Sequence, residues 1–261
     1  MIDLHSHLLY GVDDGSKDSE MSLKMARQYV ENGFADVVCS PHYLGEGKSK
    51  AVDEIKASFK SLELLLEENG IELNLHLGNE VYISLDLITD LEKGKYLTIS
   101  DSKYILIEFP ANDIPLYTDD IFYELQIKGY IPIIAHPERN AKIIHDPSIL
   151  YKFLNKGVLA QLNLHSLTGL YGDRTYKTAK KLLEHNLIQF VGTDSHSDRV
   201  RSPKVSDALK KLENVISKDD FVKLTEINPK RVLENESVEP ENIIDFNKKS
   251  IFNFKASFRN I

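Results

Sequence analysis

His5 and His7 stand two residues apart in the opening MIDLHSH, a spacing that brings alternate side chains of a strand to one face. Asp3 falls on the same parity, so Asp3, His5 and His7 are expected to project together. Two imidazoles so placed are a fragment of a divalent-metal site, or else two of nine histidines that happen to fall close. The rest of the chain separates these readings. His42 occurs in CSPH, Glu80 in LGNE, Glu108 in ILIEF, His136 in IIAHPER, and Asp194 and His196 in FVGTDSH. Each ends or follows an apolar run, a phase that independent surface or core residues have no reason to keep. Asp14 adds a carboxylate in the loop GVDDG. Imidazole and carboxylate without thiolate suit zinc, manganese, iron or a similar divalent ion, not a structural cysteine-rich zinc site. There are too many such residues for one ion; two or three ions sharing bridging carboxylates would use them. Four carboxylates against three divalent ions leave about +2, before Arg139 and Arg201 are added, and clustered ions of this kind stabilise both oxygens of a phosphoryl displacement. Phosphate ester hydrolysis is the expected chemistry.

Elements must bring these residues together. Apolar runs at 2–5, 35–39, 72–80, 103–108, 131–136, 158–163 and 187–193 read as strands. Amphipathic runs at 18–32, 50–69, 117–129, 147–156, 173–186, 203–213 and 218–225 read as helices. Gly33, Gly70, Gly129 and Gly157 fall just past helical runs, where a glycine ends a helix. Alternating strands and helices predict a parallel sheet covered by helices. Seven strands favour closure into a barrel, whose active site forms at the C-terminal ends of the strands. The expected organisation is a barrel domain over 1–235 and a polar, then basic and aromatic, tail over 236–261.

The chain of 261 residues is long enough for one large α/β domain. A net charge of −8 argues against a protein built to grip nucleic acid. The single cysteine, Cys39, excludes an internal disulfide, fits a reducing compartment and sits inside a strand run. There is no apolar run of membrane-spanning length, and the candidate site begins too near the first residue for a cleavable signal. A soluble, cytoplasmic protein is expected.

HSH, SPH, the two strand-end glutamates, AHPER and GTDSH, in that order, resemble the polymerase and histidinol phosphatase (PHP) superfamily over residues 1–235. Within it, DLHSHLLYGVDDG, AHPER and the Ser197, Asp198, Arg201 pattern most resemble the metal-dependent protein tyrosine phosphatases of bacterial capsule and exopolysaccharide operons (CpsB/CapC-like). The resemblance implies a distorted (β/α)7 TIM-like barrel, the PHP fold, with a trinuclear site. Manganese is the implied ion, with iron, zinc or cobalt as alternatives. One ion would be held by His5, His7, Glu80 and Asp194, a second by Glu80, Glu108 and His136, a third by Asp14, His42 and His196. Arg139 and Arg201 would grip phosphate oxygens as catalytic and substrate-binding groups, and water activated by the ions, not a cysteine, would attack phosphorus. The implied partner is the phosphotyrosine tail of a cognate bacterial tyrosine kinase, in regulation of capsular or exopolysaccharide synthesis. The alternative is a histidinol phosphatase or another small-molecule phosphoesterase of the superfamily.

His165 stands where the resemblance leads one to expect a small residue, and reads as an ordinary loop polar group rather than a ligand. His76 shares parity with Glu80 and is expected one layer beneath the site, as a satisfied core or supporting histidine; Asp3 is expected to lie likewise beneath His5. In the tail, Lys248, Lys249, Lys255 and Arg259 alternate with Phe252, Phe254 and Phe258. Such a segment packs on the barrel or frays, or else offers a strip for an acidic, membrane-proximal kinase tail or for anionic lipid.

Overall fold

The computed structural model describes residues 1–246; the basic and aromatic positions from Lys248 onward lie outside the described residues. The strands are β1 (Ile2–Ser6), β2 (Asp36–Cys39), β3 (His42–Tyr43), β4 (Asn74–Leu77), β5 (Glu80–Tyr82), β6 (Tyr104–Glu108), β7 (Ile131–Ala135), β8 (Leu159–Asn163) and β9 (Phe190–Gly192). The helices are α1 (Ser19–Glu31), α2 (Val52–Glu68), α3 (Leu87–Glu92), α4 (Thr118–Ile127), α5 (Ala141–His145), α6 (Ser148–Leu154), α7 (Asp173–Glu184), α8 (Ser206–Glu213), α9 (Lys218–Val222) and α10 (Asn228–Leu233). All ladders among them are parallel.

The nine strand segments follow seven paths, because β2 leads into β3 across Ser40–Pro41 and β4 into β5 across Gly78–Asn79. Pro41 has no N–H for a ladder. Across the break Gly78 donates its N–H to the Cys39 carbonyl at 2.9 Å, and the Glu80 N–H lies 3.2 Å from the Ser40 and Pro41 carbonyls. Between β9 and β1 there is one parallel bridge, Ser6 to Ser195, flanked by Asp194 N–H to His5 O and His7 N–H to Ser195 O, both 2.9 Å. The result is a distorted (β/α)7 barrel of the TIM-like kind.

Inner strand positions change character along the barrel axis. Tyr104 and Leu106, Ile133 and Ala135, Leu159, and Phe190 pack together in the lower barrel with Leu4 and Val38. Continuing upward at the same parity, β6 reaches Glu108 and β8 reaches Gln161 and Asn163. The alternate positions, such as Ile105, Ile107, Ile134, Ala160 and Leu162, join the larger core under the helices. Period-two alternation therefore sorts each strand into a helix-facing side and a barrel interior that is apolar below and polar above.

Two parity expectations fail, for one physical reason. In β1, Asp3 pairs with Val37 but Ser6 with Cys39, three residues against two, which marks a bulge. The bulge breaks the phase between Asp3 and His5. Asp3 accepts from Tyr29 of α1 and from the Thr193 hydroxyl, at 3.0 and 2.6 Å, while His5 turns to Gln161. His76 likewise does not lie beneath Glu80. The interruption at Gly78–Asn79 cancels the shared parity, and His76 pairs with Asp36, at 3.0 Å, near the start of β2.

The bottom of the barrel is stoppered by Val232 of α10 and Val238, which pack on the inner apolar residues. The Tyr104 hydroxyl donates to the Glu236 carbonyl at 2.6 Å and accepts the Val238 N–H at 2.9 Å. Ile244 donates to the His185 carbonyl, and the Phe246 ring stacks on His185 at 4.1 Å. No helix among the described residues is long and apolar enough to cross a membrane.

Candidate metal centre

Glu80 is the hub of the upper barrel. Its Oε2 lies 3.1 Å from His5 Nε2, 3.2 Å from His7 Nε2 and 3.1 Å from His42 Nδ1, and its Oε1 lies 2.9 Å from His136 Nε2. Three groups of donor atoms form here, each within 4.8 Å, two of them sharing Glu80: His5, His7, Glu80 and Asp194; His7, Asp14, His42 and His196; and His42, Glu80 and Glu108. The first has the membership that the family resemblance implies. The second adds His7 to Asp14, His42 and His196. In the third, His42 stands with the two glutamates, while His136 Nε2 is 3.7 Å from Glu108 Oε1. All nine anticipated ligand residues thus converge on one end of the barrel.

The chemistry of this donor set fits divalent cations. Glu80 Oε2, His42 Nδ1 and His196 Nε2 are buried and face other ligand atoms at 3.1–3.4 Å without the geometry of a hydrogen bond, so their lone pairs converge on shared space as a cation's ligands would. His5 and His7 turn their Nε2 atoms toward each other, 3.3 Å apart. Their other nitrogens are tied back, His5 Nδ1 to Gln161 at 2.9 Å and His7 Nδ1 to Asp13 at 2.6 Å. Anchoring one imidazole nitrogen so that the other faces inward is how supporting residues orient metal ligands.

The titration behaviour reflects the same demand for positive charge. Burial pushes His5 down, but the Glu80 and Asp194 carboxylates outweigh it and raise its pKa. His7 rises further: burial opposes, and Asp13 and Glu80 prevail. Burial, followed by the Glu80 charge, pushes Glu108 up to about 8. Asp194 is held low against its burial by His5, His136 and Arg201. Burial holds His42, His136 and His196 below the usual imidazole range, so of these five only His5 and His7 are drawn toward the charged form by the carboxylates; divalent ions would supply positive charge to the whole set.

Arg139 and Arg201 flank the ligands. Arg139 Nη1 and Arg201 Nη2 donate to the two oxygens of Asp194, each at 2.7 Å. Arg139 also lies over the Tyr171 ring, 4.6 Å from its centre. His136, Asp194 and Arg201 all have left-handed backbones, with φ of 31°, 49° and 52°. Non-glycine residues pay for that conformation, and such residues collect at functional sites. Here His136 and Asp194 turn the chain just past β7 and β9, and Arg201 turns it in the loop before α8.

Both arginines open on a cavity of about 510 Å³, shared with Asp14, His42, Glu80, Glu108, His136 and Asp194. Its outer wall holds residues the sequence reading did not single out, among them Val12, Leu44, Lys48 and Tyr82. Other supporting groups were also missed. Asp13 fixes His7 and accepts the His42 N–H; Asn163 donates to Asp194 at 2.8 Å; buried Glu138 accepts from Asn163 N–H and Ser166. Asp13 beside Asp14, Glu138 within AHPER and the polar alternation of QLN were the available signals. His165 Nε2 donates to the Ser202 carbonyl, 2.8 Å away, and does not line the cavity.

The loop carrying Asp13 and Asp14 has no room at Gly15, where a Cβ would stand 2.4 Å from both the Cβ and the carbonyl oxygen of His7. Gly15→Ala should displace the loop, costing about 1–3 kcal/mol, and lower the metal content of the protein. Denaturant unfolding and elemental analysis check the two effects; native values for both would show that the loop relaxes freely.

Comparison with known proteins places this geometry. Residues 1–234 match the model of a family described as capsular polysaccharide synthesis, CpsB/CapC. The chain is 36% identical over 254 residues to tyrosine-protein phosphatase YwqE of Bacillus subtilis, covering 97% of this chain and 100% of the relative. It is 38% identical over 197 residues to the putative tyrosine-protein phosphatase CapC of Staphylococcus aureus, covering 76% and 77%. Among solved structures, one described with YwqE from Bacillus subtilis and CpsB from Streptococcus pneumoniae as unique metal-dependent tyrosine phosphatases superposes with a TM-score of 0.89 at 35% identity, over 94% of this chain and 99% of that one.

Proposed function

This chain belongs to the CpsB/CapC capsular polysaccharide synthesis family, and from that premise we propose that it is a metal-dependent protein tyrosine phosphatase. The observation that carries the reading is that three carboxylate–imidazole clusters each present ligands to one cavity that two arginines also line. We infer that two or three divalent ions, manganese foremost, are held by His5, His7, Glu80 and Asp194; by Glu80, Glu108, His42 and His136; and by Asp14, His42, His7 and His196. When bound, such ions polarise phosphate oxygens and lower the pKa of water, supplying a nucleophile at neutral pH.

The protein's own groups do the rest. Arg139 and Arg201 present planar donor forks to the phosphate oxygens, and Asp194 sets both forks before substrate arrives. Asp13 and Gln161 hold His7 and His5 in one orientation. Hydrolysis breaks the phosphorus–oxygen ester bond, the water oxygen joins phosphorus, and tyrosine and inorganic phosphate leave. The proposed physiological substrate is the phosphorylated tyrosine tail of a cognate bacterial kinase, linking the reaction to capsule or exopolysaccharide synthesis. Steady-state kinetics on a phosphotyrosine peptide against histidinol phosphate test the reading. A preference for histidinol phosphate would replace it with the small-molecule alternative.

Arg139→Lys should lower kcat/KM at least ~10-fold, about 1.4 kcal/mol. Lysine is a compact point charge and cannot both bind two phosphate oxygens and stack on Tyr171 as the guanidinium does. Kinetics on a phosphotyrosine peptide would detect this; an unchanged value would mean that Arg139 does not reach the phosphate.

A further inference from the structure

The cavity has a charged floor, and beside Lys48 its lining carries three apolar or aromatic residues, Val12, Leu44 and Tyr82. We propose that Tyr82, with Val12 and Leu44, is the specificity wall that receives the aromatic ring of the substrate and selects aryl over alkyl phosphate esters. This deepens the phosphatase reading and rests on it.

Tyr82 lies two residues beyond Glu80 in β5 and pairs in register with Glu108. Residues i and i+2 of a strand share a face and are separated by ~6.6 Å along it. Tyr82 therefore stands one step above the carboxylate hub. That step is about the reach from a phosphorus atom across the ring to which it is esterified. With phosphate on the floor between Arg139 and Arg201, an esterified phenol would extend upward to the level of the Tyr82 ring. A phosphoserine side chain is much shorter and would draw its main chain down into the same space.

Val12 also packs against the core, whereas the polar end of Tyr82 and the side chain of Leu44 are left to the cavity. Tyr29, Tyr43, Tyr96 and Tyr104 each place their hydroxyl in a hydrogen bond within the fold. The Tyr82 hydroxyl has no hydrogen bond among the described residues, yet the side chain lines the cavity. Leu44 is 45% exposed at the mouth of a cavity whose floor is ionic. An aromatic ring seated between such groups gains contact area and ring–ring attraction, and an alkyl ester does not.

The test compares kcat/KM for a phosphotyrosine peptide and for a phosphoserine peptide of otherwise identical sequence, using metal-loaded wild type, Tyr82→Ala, Tyr82→Leu and Tyr82→Phe. The aryl-to-alkyl ratio should fall about tenfold in Tyr82→Ala, chiefly through KM for the aryl substrate. It should fall in Tyr82→Leu, which keeps bulk without a ring and covers the case that alanine disturbs the fold. Tyr82→Phe should restore the ratio, a rescue that a role of the hydroxyl would not give. An unchanged ratio in both Tyr82→Ala and Tyr82→Leu, or no rescue by phenylalanine, overturns the assignment. If wild type instead fails to hydrolyse the phosphotyrosine peptide, the phosphatase reading itself has failed.

Discussion

EDTA should abolish phosphotyrosine hydrolysis, added Mn2+ should restore it, and iodoacetamide should leave the rate of the native protein unchanged. The first two outcomes follow from the donor clusters at Glu80, whose buried Oε2 has three imidazole nitrogens within 3.2 Å. Removing the ions takes away both the polarisation of phosphate and the source of nucleophile, so a loss beyond ~1,000-fold is expected. Stability should fall together with activity, because a ligand at a hundred times its Kd contributes about 2.7 kcal/mol to the folded state. The third outcome follows from Cys39. It lies fully buried in β2, and burial, reinforced by the charges of Asp3 and Asp13, raises its thiol well above the usual range. A buried neutral thiol is neither a nucleophile nor accessible to alkylation. Activity that survives EDTA but is lost to iodoacetamide would reverse the mechanism.

Replacing Glu80 should be the most damaging single substitution. Glu80→Gln keeps the shape but removes the charge that faces His5, His7, His42 and His136 within 3.2 Å. We expect kcat/KM to fall at least ~1,000-fold, with more than one ion lost, because the same carboxylate borders more than one donor cluster. Glu108→Ala and His136→Ala should also lose orders of magnitude. Glu108 stands farther out, 3.7–3.8 Å from its histidines, so its loss should spare the His5–His7–Asp194 group. Elemental analysis alongside kinetics separates the cases: Glu80→Gln should bind fewer ions per chain than Glu108→Ala. Wild-type metal content and turnover in Glu80→Gln would dismiss Glu80 as the hub. Circular dichroism guards against a merely unfolded variant.

How much of this was readable without coordinates depends on the range of the interaction concerned. Alternating apolar runs and glycine-ended helices are local patterns, and they revealed a parallel barrel whose strand tips carry the chemistry. His5, His42, Glu80, Glu108, His136 and Asp194 announced themselves because each is a ligand type at the end of an apolar run. Supporting partners were harder to see. Gln161 meets His5 across 156 residues, between strands that do not pair, and Asn163 meets Asp194 across 31, between β8 and the end of its partner β9; a strand's own sequence encodes neither contact. Parity also failed where the ladder breaks. The bulge in β1 sends Asp3 to Tyr29 and Thr193, and the interruption before Glu80 leaves His76 with Asp36. A run of residues specifies alternation only while the hydrogen-bond ladder is continuous. Where an extra residue or a proline interrupts it, the face each side chain takes is decided by packing against strands and helices far away in the chain. Residue type and spacing therefore determined which chemistry this protein carries and at which end of the barrel. The tertiary structure decided which atoms meet: Asp13 reaches His7 within its own loop, but Gln161 on His5 and Asn163 and Arg139 on Asp194 come from other strands and loops that only the folded barrel brings within hydrogen-bonding distance.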